Sequence, residues 1–98
     1  MKFEKTVHNI GEKRKHADRV LNEAKFDMIQ IHMKEEEVIT SHHAKEETLI
    51  IVRSGKIVMN VEGEEVTLTN ESVLQMDPYE AHDLRAIEET DLILLKLK

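Results

Sequence analysis

LIIVRSGKIVMNVEGEEVTL, residues Leu49 to Leu68, is the stretch that decides the fold. It holds three strand-like apolar runs, cut at Ser54-Gly55 and at Glu62-Gly63. Glycine at each cut admits the positive φ that a tight hairpin needs. In the middle run Ile57, Met59 and Val61 alternate with Val58 and Asn60, and Val66 and Leu68 continue the inward set. A two-residue period repeated over consecutive runs specifies antiparallel strands with one face on a core.

Upstream lies Thr40 to Glu47, TSHHAKEE, with two histidines and two glutamates leading into that apolar run. A helix would set His42 with Glu46 and His43 with Glu47 at i,i+4, and Ala44 to Glu47 suits one, but Thr48 to Val52 ends it too soon. Farther back, Phe26 to Met33 (FDMIQIHM) is a strand with Phe26, Met28, Gln30 and His32 on one side and Ile29, Ile31 and Met33 on the other. Lys34 to Glu37 is a charged turn before Val38 and Ile39. Phe3 to Val7 reads as a short first strand. Gly11 to Ala24 fits either a thin helical face (Ala17, Val20, Leu21, Ala24) or a strand at Arg19 to Leu21 followed by a turn at Asn22 to Lys25. The strand and turn are preferred.

Downstream, Ser72 to Met76 is a strand that Asp77-Pro78 breaks. His82, Leu84 and Ala86 alternate with Asp83, Arg85 and Ile87, a half-buried strand. The final DLILLKLK is apolar on both faces, as is Leu49 to Val52. Eight or more short strands in 98 residues specify an all-β, single-domain antiparallel barrel or sandwich. A small barrel has one interior, so the outer faces of those two strands need cover. Residues 1–25 form an N-terminal strand and turn segment packing on the barrel or on a dimer partner, and 26–98 form the barrel. A homodimer made by sheet packing is the expected assembly.

Composition sets the remaining bounds. Fourteen basic against twenty acidic residues give a formal net charge of −6, a field that repels nucleic acid and anionic membranes. The one basic cluster, Lys13, Arg14 and Lys15 with Arg19, sits among Glu12, Asp18 and Glu23. The absence of cysteine excludes disulfides, thiolate metal sites and cysteine nucleophiles. MKFEKTVHNIGEKRKH has no apolar core of a secretory leader, and no apolar run reaches the ~20 residues of a membrane span, so a cytoplasmic location is expected. With aromatics confined to Phe3, Phe26 and Tyr79, the core must be built from Ile, Leu, Val and Met, with Met28, Met33, Met59 and Met76 as fillers.

The order HH, EE, strand, Gly55, hairpin, Gly63, then Pro78 to His82 resembles the small single-domain cupins. In that family the motifs G-x5-H-x-H-x3,4-E-x6-G and G-x5-P-x-G-x2-H lie on facing strands of a jelly-roll barrel and supply three histidines and a glutamate to one divalent metal. Counted from Gly55, the first histidine falls on His42, but Ala44 stands for the second, Thr48 for the glutamate and Glu36 for the opening glycine. In the second motif His82 matches, while Glu71, Asp77 and Tyr79 replace glycine, proline and glycine. One extra residue before Gly55, as a β-bulge supplies, would instead select His43, Glu47 and His82. Parity favours the unbulged register, in which His42, Thr48, Ile50 and Val52 share a face.

The resemblance implies a cupin-like jelly-roll with a pocket lined by His42, Thr48, His82 and His32, and a metal, Zn, Fe, Ni or Mn, on His42 and His82. His8 and His16 lie in charged surface sequence. The first functional reading is a small binding domain for a ligand or divalent metal. A metal-dependent isomerase or dioxygenase is the alternative, and a structural dimer with a vestigial pocket is the third. No phosphate loop, nucleophile elbow or HExxH motif is present.

Overall fold

Glu62 and Gly63 have φ of 50° and 85°, and they join β5 (Ile57–Val61) to β6 (Glu64–Leu68) with Val61 opposite Glu64. This is the two-residue hairpin expected from the sequence, positive φ at both central positions matching the twist of the flanking strands. The other glycine does something different. Gly55 (φ 93°) ends β4 (Glu47–Ser54), which pairs with neither β5 nor β6, so the chain here turns a corner from one sheet to the other rather than closing a hairpin.

The computed structural model describes residues 1–6 and 17–98, with the side chains of residues 41–43 excepted. Residues 1–6 contain no strand, so the strand expected at Phe3 to Val7 does not form over them. The expectations for Val7, His8, Lys13 to Lys15 and His16 lie outside the described residues. The remaining strands are β1 (Ala17–Asn22), β2 (Phe26–Met33), β3 (Val38–His43), β7 (Val73–Met76), β8 (Ala81–Ala86) and β9 (Thr90–Leu97). Among the described residues no helix is long and apolar enough to cross a membrane.

The nine strands of the described residues form two antiparallel sheets ordered β1-β2-β9-β4-β7 and β3-β8-β5-β6. Over its described residues, 17–24, the ambiguous N-terminal stretch resolves as a strand and turn because Ala17 to Asn22 pairs along β2, with a bulge between Arg19 and Leu21; its residues 11–16 lie outside the described ones. The core lies between the sheets and follows the period of two. From β4 it takes Ile50 and Val52, from β9 Leu92 and Leu94, from β2 Ile31 and Met33. Ile57, Met59, Leu68, Leu84 and Ala86 face them from the other sheet. Met33, Met59 and Met76 are core fillers as expected. Met28 has the other parity of β2; it is half-buried and sits outside the core cluster, because β2 alternates strictly about Ile29, Ile31 and Met33.

The five-stranded sheet therefore has a second, outer face carrying Gln30, His32, Asp91 and Ile93. Three of these are polar yet almost fully buried, at 4%, 3% and 1% exposure. Asp91 is held by the Arg53 guanidinium at 2.6 Å and accepts a hydrogen bond from Gln30 Nε2 at 3.2 Å. Arg53 also donates to Thr6 Oγ1 at 2.6 Å, which holds Thr6 against this face. Arg53 is the extra residue of a bulge between Val52 and Ser54, opposite β9. Toward β7 the same face presents Ile51 (39% exposed) opposite Val73 (63%).

Candidate functional site

The turns β1–β2, β3–β4, β5–β6 and β7–β8 gather at one end of the double sheet, because every second connection of an antiparallel array returns to the same end. Backbone hydrogen bonds tie these turns to their neighbours: Tyr79 N–H donates to Ala44 O (2.7 Å) and Glu62 N–H to Ala81 O (2.9 Å). The interior just inside this mouth departs from the apolar core. Its inward positions include Thr48, second in β4, and His82, second in β8, at 1% and 4% exposure. His82 shares the inward parity of Leu84 and Ala86. Its Nδ1 lies 3.1 Å from Glu80 O, and the Thr48 hydroxyl donates to Glu46 O at 3.1 Å.

The pairing of β3 with β8 sets His42 directly opposite His82, and His43 opposite Ala81. A shift between Ile39 and His42 makes this register: Ile39 pairs with Leu84, so two residues of β3 face one of β8 before the histidines meet. Without that bulge, Ser41 would stand opposite His82. Residues directly opposite in an antiparallel pair belong to the same sheet face, so position 42 shares the interior face of His82.

The other candidates are placed elsewhere. His32 lies on the outer face of β2 opposite Asp91, with Nε2 3.8 Å from Glu89 Oε1, so the structure does not bring it to Thr48 and His82. Glu47 has the outward parity of β4 and accepts a hydrogen bond from Gln75 Nε2 at 2.8 Å. The bulge in β4 falls at Arg53, after Val52, and leaves Thr48, Ile50 and Val52 facing in. Among the described residues no group of three or more histidines, aspartates and glutamates could hold a metal ion; the side chains of His42 and His43 are not among those described.

Sequence reasoning missed Asp27. It shares the inward parity of Ile29, Ile31 and Met33, is 8% exposed, and pairs in register with Lys96. Lys98 Nζ lies 3.2 Å from its Oδ1 and Arg19 Nη2 4.0 Å from its Oδ2. Lys98 also donates to Asn22 Oδ1 and Glu23 O, so this carboxylate anchors the end of β9 to the β1–β2 turn. The signal was available: a charge on the apolar phase of a strand requires a partner.

Backbone conformation carries a further correspondence. Glu36 and Tyr79, which stand where the two motifs have glycine, are at φ 69° and 67°, and Gly55 is at 93°. Two of the replaced glycine positions are thus left-handed without glycine, whereas Glu71, the third, is not. Tyr79 is 66% exposed, so its ring packs too little to offset that conformation. Tyr79→Gly is therefore expected to raise unfolding free energy by about 0.5 kcal/mol, the relief of left-handed strain slightly exceeding the entropy that glycine adds to the unfolded chain. Urea denaturation of the two proteins checks this.

Two depressions adjoin the mouth. A broad groove of about 690 Å³ is lined by Lys45, Glu46, Glu47, Pro78, Leu97 and Lys98. A smaller cavity of about 260 Å³ lies between the β5–β6 hairpin and β7, beside Val61, which pairs with His82.

Two antiparallel sheets enclosing one apolar core, with a polar layer at one open end, define the class of small jelly-roll barrels. The family model described as "Cupin domain" matches residues 28–97, and the chain belongs to that family. The fold is shared with a cupin superfamily protein of Desulfitobacterium hafniense (14% identity over 83% of this chain and 74% of that one, TM-score 0.78). It is likewise similar to a conserved protein of unknown function from Streptococcus pyogenes (12% identity, 100% and 96% coverage, TM-score 0.79). An RmlC-like cupin from Shewanella frigidimarina is similar too (15% identity, 96% and 92% coverage, TM-score 0.78). Comparison with curated proteins found no match.

Proposed function

We propose that this chain is a small cupin binding domain whose mouth, at His82 and His42, takes a small ligand or one divalent transition metal. The observation that carries this reading is the register of β3 on β8, which sets the two histidines opposite each other at the end of the interior where Thr48 also faces in. Burying a polar layer inside an apolar barrel is costly unless it is satisfied, by the protein or by a bound group. Neutral imidazole is a ligand for zinc, iron and nickel alike. Two imidazoles leave further coordination positions to water or to a small molecule, which suits a binding or exchange site better than a closed structural one. The alternative set His43, Glu47 and His82 is not part of the proposal, since Glu47 and His82 have opposite parities relative to the core.

Metal analysis of untagged protein tests this reading after incubation with zinc, iron, nickel and manganese in turn. Stoichiometric uptake in the wild type that falls at least tenfold in both His42→Ala and His82→Ala is expected for metal occupancy. Uptake unchanged by both substitutions refutes the histidine site.

We propose also that the chain forms a homodimer through the outer face of the five-stranded sheet. Ile51 and Val73 are cross-strand neighbours, both exposed, with Ile93 adjoining Ile51 across β9. A two-fold axis would set such an apolar patch against its own copy, and β7, four residues long, is too short to invite edge pairing instead. Light scattering is expected to give twice the 11.4 kDa chain mass for the wild type. Ile51→Glu with Val73→Glu is expected to give the monomer, and a wild-type monomer at working concentration refutes the dimer.

A further inference from the structure

The cavity of about 260 Å³ beside Val61, the strand neighbour of His82, has a floor of Val61, Val66 and Leu74, three apolar side chains packed against the core. Its rim carries Glu62, Glu64 and Glu80, and among the described residues no basic side chain lines it. We propose that it binds a small organic cation, an ammonium group on an aliphatic body of four or so carbons.

The chemistry divides between the two parts of the cavity. An apolar floor favours a ligand with a hydrocarbon portion and gives nothing to a hydrated ion. The rim selects the sign of the charged end. Glu64 is opposite Val61 on the inward phase of β6, the phase of Val66 and Leu68, and so stands at the opening itself. Glu62 accepts a hydrogen bond from Ala81 N–H (2.7 Å) and Glu80 one from Asp77 N–H (2.7 Å), each through a single oxygen, which fixes both carboxylates in place before a ligand arrives. Low-dielectric walls with one sign of charge focus the field on the opening, and the net charge of −6 acts in the same direction at longer range. A carboxylate or phosphate ligand of the same size meets three like charges and, among the described residues, no counter-charge.

This inference rests on the mouth being the binding end, as proposed above, but it does not require metal at the histidines. The experiment therefore uses metal-free protein. Butylammonium, 1-butanol and butyrate are titrated in turn into the ¹⁵N-labelled chain, and amide shifts of Val61, Val66 and Leu74 are followed. Butylammonium is expected to shift these three amides saturably, at least tenfold more tightly than butyrate, with 1-butanol between. The preference is expected to shrink as KCl is raised from about 20 to about 200 mM, as screening of exposed charge requires. The double variant Glu62→Gln with Glu64→Gln keeps an acceptor for Ala81 N–H and so keeps the turn; its butylammonium affinity is expected to fall about tenfold. Equal binding of butyrate, the absence of saturable shifts at these three residues, or unchanged affinity in the double variant overturns the proposal. Failure of the histidine site alone would appear in metal uptake and leave these shifts intact.

Discussion

Replacing Gly55 by alanine is expected to lower the unfolding free energy by about 4 kcal/mol. Two effects add. The backbone at Gly55 has φ 93°, a region that side chains rarely enter. A Cβ built there would lie 2.3 Å from Glu89 O, 2.4 Å from Thr90 Oγ1 and 2.6 Å from Thr90 Cα. Two of those three atoms are backbone, and Thr90 is fully buried, so relief requires the start of β9 to move. Thr90 cannot move freely, because its hydroxyl receives Lys56 N–H at 3.0 Å and sits 2.8 Å from Glu88 O. Gly63 supplies the control. Its φ is 85°, but nothing lies within 4 Å of a Cβ there. Gly63→Ala is expected to cost only about 1 kcal/mol, the conformational part alone. Urea unfolding of both variants measures the difference, and equal losses would show that the contact with Thr90 relaxes without cost.

Arg53→Ala is expected to cost about 2–3 kcal/mol, toward the low end for a broken buried pair because Arg53 itself is 31% exposed. Its guanidinium bridges Asp91 and Thr6, each at 2.6 Å. Asp91 is 1% exposed on a covered sheet face and also accepts from Gln30, so removing the cation takes its ion pair from a desolvated carboxylate. Arg53→Lys keeps the charge but loses the two-pronged geometry, and half the loss is expected. Thr6→Ala removes only a hydroxyl contact and is expected to cost under about 1 kcal/mol. Denaturant midpoints for the three variants give the ranking; a loss for Thr6→Ala as large as that for Arg53→Ala would shift the role from the ion pair to the segment it fastens.

The period of two was readable residue by residue. The alternations in Ile57 to Leu68 and in His82 to Ala86 fixed which side chains face the core, and that in FDMIQIHM fixed which side chains share a face, because a strand offers no other choice of direction. The short turn at Glu62-Gly63 was likewise written locally. The Ser54-Gly55 turn also centres on a glycine yet joins two different sheets, since the partner of the strand after a turn depends on which strands later return to pair. His32 illustrates the same limit on the site. Its parity was readable, but a two-faced strand does not announce which face is the interior, and the covered outer face holds it beside Asp91 and Glu89.

By itself, then, the sequence determined the strands from Phe26 onward, their alternation, the resemblance to the cupin pattern and the departures at Ala44, Thr48 and Tyr79. Local sterics and hydrophobic period decide those features within a few residues of chain. Only the tertiary structure decided that a bulge before His42 brings it opposite His82, forty residues on, and that Arg53, Asp91, Gln30 and Thr6 meet across separations of 38, 47 and 61 residues. Register and long-range charge pairing are set by the closure of the two sheets on each other, and no local pattern encodes where a sheet closes.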